Sequence, residues 1–267
     1  MPPSKHVPAC FKRGIGMVYF VGAGPGDKEL VTVKGARLLN EADIVVYAGS
    51  LVQEALLEYC RDGVKTYNSA SMHLDEIMGI MINGAVSGLT VVRLHTGDPS
   101  LYGALREQTV ALEATAIPYA IVPGVSSAFA SAAALKRELT SPGGTQTVIF
   151  TRLAGRTPVP EKENLASLAS HNATICVFLS AASIDAVVEE LKKGYTSDTP
   201  AAIVYRASWE DELVLTGTLE TIAAKAKGAM IQKHALIIVG RAIGDASDAS
   251  MLYDKSFSHE HRKKTTP

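Results

Sequence analysis

Three strings in the sequence combine glycine with short polar side chains at spacings that suit the capture of a small ligand by bare backbone. The first is Gly22-Ala23-Gly24-Pro25-Gly26-Asp27. Glycine there permits positive φ and lets a ligand approach the main chain, although a tight structural turn would use the same residues. The second is His95-Thr96-Gly97-Asp98-Pro99-Ser100-Leu101-Tyr102-Gly103. Gly97 permits an unusual backbone, and Asp98-Pro99 suits the cap and first turn of a following helix. The third is Pro123-Gly124-Val125-Ser126-Ser127, where Ser126 suits an N-cap. Behind it, Ala128, Ala130, Ala132 and Ala133 give a small-residue helix that permits close packing or a bulky neighbouring ligand.

Each string needs an element that positions it. Apolar, β-branched runs predict strands at residues 17–21, 44–47, 90–94 and 119–122, and again at 147–150, 173–179, 201–205, 213–216 and 235–239. Helical spacing predicts helices over 31–42 with Thr32 as N-cap, over 73–86, over 102–114, and around Ile184, Val187, Val188 and Leu191. Strands and helices alternate, which predicts an α/β chain with a mostly parallel sheet covered by helices. All three strings follow a strand, where parallel sheets bind ligands. Ser141-Pro142-Gly143-Gly144 interrupts the alternation and predicts a domain boundary. The expected organisation is a leader at 1–16, domains at 17–140 and 141–244, and a polar tail at 245–267.

Composition excludes several functions. With 26 basic and 27 acidic residues, the net charge of −1 leaves no overall field to attract nucleic acid or an anionic membrane. Cys10, Cys60 and Cys176 are sparse and odd in number, which fits a reducing, cytoplasmic compartment. The longest apolar stretches, 128–135 and 235–239, fall far short of the ~20 residues of a membrane helix. A dinucleotide site is disfavoured, because the third glycine of its fingerprint would fall at Asp27 and no acidic residue follows Tyr47. No HExxH or Cys/His cluster is present, and His259, His261 and the Arg262-Lys263-Lys264 run read as a solvated tail, so no protein-bound metal is expected.

The three strings, in this order and spacing, resemble the tetrapyrrole (corrin/porphyrin) methyltransferase family from about Met17 to Val239. The stretches Ser71-Met72-His73-Leu74-Asp75-Glu76, Gln146 to Arg152, Gly155 to Glu161 and Leu252 to Phe257 are similar to the precorrin-4 C11-methyltransferases of cobalamin synthesis. Within these, the Met72 to Glu76 and His95 to Ala104 strings are closer to the anaerobic, cobalt-first branch. The resemblance implies two αβα domains with S-adenosylmethionine in a cleft between them, in a homodimer. It implies cofactor contacts at Pro25, Gly97, Asp98, Leu101, Ser126 and Ser127. From the second domain it implies Leu179, where the family often has methionine, Ala207 and Ala235.

A sulfonium methyl is already an activated electrophile, and an enamine-like pyrrole carbon is already a nucleophile. Alignment is then the enzyme's main task, and no Ser-His-Asp triad is expected. Asp98 and Tyr102 are the catalytic candidates. A substrate fringed with carboxylates needs local cations, and the planar fork of arginine suits them. Arg93, Arg106, Arg152 and Arg156 are the candidates, and Met72 and His73 are candidates for the macrocycle face. The readings left beside this one are a same-fold methylase acting on another tetrapyrrole carbon, an RNA ribose or a modified histidine, a nicotinamide oxidoreductase, and a non-catalytic binding module.

Overall fold

The computed structural model describes residues 14–49 and 51–245. Most of the expected leader with Cys10, the 252–257 string, His259, His261 and the Arg262-Lys263-Lys264 run lie outside the described residues. By packing, the chain divides into two units, Met1–Ser127 and Ala128–Pro267.

The first unit runs β1 (Val18–Gly22), α1 (Val33–Glu41), β2 (Ile44–Tyr47), β3 (Lys65–Asn68), α2 (Leu74–Val86), β4 (Val91–His95), α3 (Leu105–Ala114) and β5 (Tyr119–Val122). Its sheet has the order β3-β2-β4-β1-β5, and each neighbouring pair is parallel. A strand sends alternate side chains to opposite faces, so a sheet covered on both sides needs apolar residues at successive positions. Val21, Val45, Val92 and Leu94 pack on one face with Leu38 and Leu39 of α1. Val18, Phe20, Val46 and Val91 pack on the other with Ile77, Met78 and Met81 of α2 and Leu112 of α3. Thr32 caps α1 as predicted, its hydroxyl accepting from Gly35 N at 3.0 Å. Gly16, counted with the leader, donates to Ala85 O at 2.7 Å, so the chain is tied into this unit before Met17.

The second unit contains α4 (Ser127–Leu135) from Ala128 onward, then β6 (Val148–Arg152), α5 (Leu165–Ala169), β7 (Thr174–Phe178), α6 (Ile184–Leu191), β8 (Pro200–Tyr205), β9 (Leu213–Thr218), α7 (Ile222–Gly228) and β10 (Ala235–Val239). The division falls at the first residue of α4, not at Ser141, because Ala128 and Ala132 pack on Cys176, Ala202, Leu236 and Ile238 of the second sheet. Helices α5, α6 and α7 cover its other face through Leu165, Val187, Leu191 and Ile222.

The expectation of mostly parallel strands holds in the first sheet and fails in the second. The order there is β6-β7-β10-β8-β9, and only β6 and β7 pair in parallel. The reason is connection length. The chain passes from β8 to β9 through a short loop, and parallel neighbours need a crossover of about a dozen residues or more. Strand β10, reached through α7, then enters between β7 and β8 and runs against both. No helix among the described residues is long and apolar enough to cross a membrane.

Candidate functional site

The five parallel strands of the first sheet end together, so the three glycine strings share one edge. There they interlock. Gly24 and Gly97 form a two-way bridge, with N···O distances of 3.3 and 2.8 Å. Ala23 N donates to His95 O at 2.7 Å. A Cβ on Gly124 would lie 2.2 Å from Gly97 O, and one on Gly22 would lie 2.5 Å from Gly124 Cα. Backbone meets backbone at both places, and only glycine fits. Gly97 itself sits at φ +61°, with Ser126 Cα 3.6 Å and Ser127 N 3.8 Å from the place a Cβ would take. Pro25, Gly97 and Ser126 are buried, and Leu101 is half-buried.

Asp98 holds this arrangement. Its Oδ2 accepts from Gly124 N at 2.9 Å, and its Oδ1 accepts from Ser100 N at 2.8 Å and from the Ser100 hydroxyl. Burial pushes its carboxyl pKa up, but the bonds from the Ser100 hydroxyl, Gly124 N and Ser100 N outweigh burial and hold it below the ordinary 3.8. Asp98 therefore does not cap α3. That helix begins at Leu105, later than the expected 102, because Tyr102 (φ 54°) and Ala104 (φ 47°) are left-handed and break the turn. Asp27, in the place of a third glycine, accepts from Glu29 N at 2.8 Å and caps the turn at Lys28–Leu30.

In the second unit, Leu179, Ala207 and Ala235 come to one sheet edge. Strand β10 runs against β7 and β8, so its start lies beside their ends, with Ala235 opposite Tyr205. Leu179 is 73% exposed at φ 55°, while Ala207 is buried between Arg206 (φ 46°) and Ser208 (φ 69°). Left-handed non-glycine residues concentrated at one edge are the strain expected of a functional surface. Composition gave no signal for what flanks Ala207. The Arg206 guanidinium lies over the Tyr205 ring at 5.3 Å and the Trp209 ring at 4.9 Å, paired with Asp211. Arg206 N donates to His234 O at 2.8 Å.

The arginine candidates separate by environment. Arg93 is buried on β4 and donates from Nη1 to Ser69 Oγ at 2.9 Å; burial lowers its pKa to about 10. Ser69 opens the short turn that leads to Met72 and His73, so the structure brings three candidates to one place. Met72 packs against the α2–α3 core, and His73 is exposed, its N–H donating to Glu76 at 2.7 Å. Arg106 is exposed on α3. Arg152 is turned inward on its own loop, donating to Leu153 O (3.3 Å), Thr157 O (3.1 Å) and Pro158 O (2.8 Å). Arg156 is exposed on that loop with no ion pair among the described residues.

Comparison with known proteins shows the family. A family model described as Tetrapyrrole (Corrin/Porphyrin) Methylases matches residues 17–223. The chain belongs to the tetrapyrrole methylase family. It is 54% identical over 248 residues to a cobalt-precorrin-4 C(11)-methyltransferase of Methanocaldococcus jannaschii, covering 92% of this chain and 96% of the relative. It is 45% identical over 246 residues to a precorrin-4 C(11)-methyltransferase of Pseudomonas aeruginosa, covering 92% and 98%. A solved cobalt precorrin-4 methyltransferase superposes with a TM-score of 0.84 at 46% identity, covering 86% of this chain and 96% of that one. A uroporphyrin-III C-methyltransferase of Thermus thermophilus, solved with S-adenosylhomocysteine, superposes with a TM-score of 0.72 at 31% identity, covering 86% and 94%. In this tetrapyrrole methylase, the three strings quoted for the resemblance are the strings that interlock at the first sheet's edge.

Proposed function

We propose that the chain is an S-adenosylmethionine-dependent methyltransferase acting at C11 of cobalt-precorrin-4 in the cobalt-first route to cobalamin. The observation that carries the reading is the interlocked edge of Gly22, Gly24, Gly97 and Gly124, in a chain 54% identical to a relative of that name. The residues fit the cofactor. The edge is walled by main chain and short side chains, which suits a ligand that presents an amino acid and a nucleoside to hydrogen-bonding backbone. By the family resemblance, Pro25, Gly97, Asp98, Leu101, Ser126 and Ser127 are assigned to the cofactor, and the same resemblance assigns Leu179, Ala207 and Ala235 to it. When bound, S-adenosylmethionine supplies a methyl group activated on sulfonium.

The chain's own residues bind and orient. Asp98 is a clasp in this reading, since both of its oxygens are occupied, and it keeps the second and third loops together. Tyr102, exposed on the second loop, is the remaining catalytic candidate in this reading. Arg93, Arg106 and Arg156 offer guanidinium forks to the acidic arms of the ring, and Arg152 shapes the loop that carries Arg156. Met72 and His73 lie against the macrocycle. Holding the nucleophilic carbon in line with the methyl group supplies the acceleration. The family resemblance further supports a homodimer, which light scattering on the purified chain tests, and the sparse, odd cysteine count supports a cytoplasmic location.

The decisive experiment offers cobalt-precorrin-4 and precorrin-4 separately, with labelled methyl donor, and reads the product by mass spectrometry and NMR. Methyl label at C11 of the cobalt substrate is expected. Label at another carbon would overturn the regiochemistry. A thermal shift with NAD and none with S-adenosylhomocysteine would overturn the methyltransferase reading.

A further inference from the structure

The α2–α3 face of the first sheet should be wholly apolar, yet its ligand-binding edge buries polar groups. Ser69, Arg93 and His95 are 8%, 7% and 5% exposed. Arg93 and His95 are two residues apart on β4, so both point to the same face as Phe20. A buried guanidinium is costly unless it is paired. No carboxylate among the described residues pairs with Arg93. Its Nη1 reaches Ser69 Oγ, and its Nε has no partner among the described residues. His95 Nε2 is also buried without a partner among the described residues.

These groups are held in place. The Ser69 hydroxyl donates to Tyr47 O at 3.0 Å, which turns an oxygen lone pair to Arg93 and fixes the guanidinium. The imidazole of His95 sits edge-on to Phe20 at 5.7 Å. A Cβ on Gly103 would lie 2.8 Å from His95 Nδ1, so the glycine of the second string makes room for the ring. Both side chains leave β4 on the same face, two residues apart, so the two unsatisfied nitrogens lie on one side of the sheet.

From these contacts we infer that Arg93 and His95 form a buried subsite for a single carboxylate of the macrocycle, with Ser69 as its positioning residue. Arg93 donates from Nε to the carboxylate, and His95 Nε2–H donates to the same group. The subsite deepens the proposed function, because it assumes that the acid-fringed ring binds at this edge. It assigns a role to His95 and separates Arg93 from the exposed arginines: a buried donor pair selects the position of one acidic arm, whereas a surface guanidinium attracts any of them. The carboxylate of the cofactor's amino acid is the other source of the same chemistry, and the experiment distinguishes the two.

The test uses the full chain and two probes in calorimetry: uroporphyrin III as a stable carboxylate-bearing macrocycle, and S-adenosylhomocysteine. Arg93→Met is expected to fold with unchanged or higher thermal stability, since an apolar residue of similar size often replaces a buried charge without loss. It is expected to bind uroporphyrin III roughly tenfold or more weakly, the scale of a lost hydrogen bond to a charged group, with affinity for S-adenosylhomocysteine unchanged. Ser69→Ala should weaken the macrocycle less, and Arg93→Lys should restore part of the loss. If Arg93→Met does not fold, the wild-type chain labelled with ¹⁵N-histidine decides. Uroporphyrin III should shift the His95 Nε2 resonance, and S-adenosylhomocysteine alone should not.

Undiminished macrocycle binding by Arg93→Met, or a silent His95 resonance, overturns the subsite while leaving methyl transfer intact. Loss confined to S-adenosylhomocysteine assigns the carboxylate to the cofactor and overturns the macrocycle assignment. A wild-type chain that binds neither probe overturns the proposed function itself.

Discussion

The Gly124 N–H donates to Asp98 Oδ2 over 2.9 Å, and this one bond ties the loop after β5 to the loop after β4. The two loops also approach each other at Gly97 O, and this bond adds a fixed side-chain tie between them. Asp98→Ala removes three acceptor contacts and is expected to destabilise the fold by about 1–3 kcal/mol while weakening S-adenosylhomocysteine binding. Calorimetry and thermal unfolding measure both. The sign of its pH dependence follows from a lowered pKa. The clasp's contribution is complete above the ordinary carboxylate value of 3.8 and is lost as pH falls through the lower folded value. Asp98→Asn should flatten stability in that acid window and nowhere else.

A second window belongs to His95. Burial first, and then the Arg93 charge, lower its pKa from 6.5 to about 4. Between these values the unfolded chain binds a proton that the folded chain does not, so stability falls as pH drops from 6.5 towards 4. A difference of that size is on the order of 3 kcal/mol. Urea titrations of wild type and His95→Gln across that interval should show the slope in the wild type and its reduction in the variant.

The glycines at the edge of the first sheet are not equivalent to glycines elsewhere. Gly124→Ala places a Cβ against Gly97 O and forces two backbones apart, so binding of S-adenosylhomocysteine should become undetectable by calorimetry. Gly97→Val meets no close atom but must hold a β-branched residue at φ +61°, a strain of about 1–3 kcal/mol, and should also abolish binding. Gly155→Ala, with nothing within 4 Å, is the control and should leave affinity unchanged.

Arg152 and Arg156 should behave differently, although both lie in the same family-like stretch. Arg152 donates to three carbonyls of its own loop, so Arg152→Ala should open residues 153–158 to limited proteolysis and raise the substrate KM. Arg156→Ala should raise KM with the protease pattern unchanged. Identical protease patterns in the two variants would remove Arg152's structural role.

Much of the fold was legible. The apolar runs at 44–47, 119–122 and 235–239 are strands at those bounds because each is short, apolar and closed by polar or turn-forming residues. Strand β3 was missed, since Lys65-Thr66-Tyr67-Asn68 is an exposed edge with no apolar run to read. Helices α5 and α7 were missed because one is five residues long and the other is mostly alanine and lysine. The three loop strings were legible as a group, because glycine widens and proline narrows the backbone geometry locally. The sequence placed His95 at the head of the second string without giving it a ligand role, and nothing marked Ser69 or the Arg206 and Trp209 stack.

By itself the sequence determined the family, the strand–helix alternation and the three glycine strings, because apolar periodicity and backbone-permissive residues act over a few neighbours. The tertiary structure alone decided that β10 enters between β7 and β8, that α4 packs with the second unit, and that arginines alike in sequence divide into a buried donor, a loop staple and exposed cations. Burial and partner choice arise from residues distant along the chain, such as Ser69 for Arg93 and Gly124 for Asp98, and a one-dimensional pattern does not carry them.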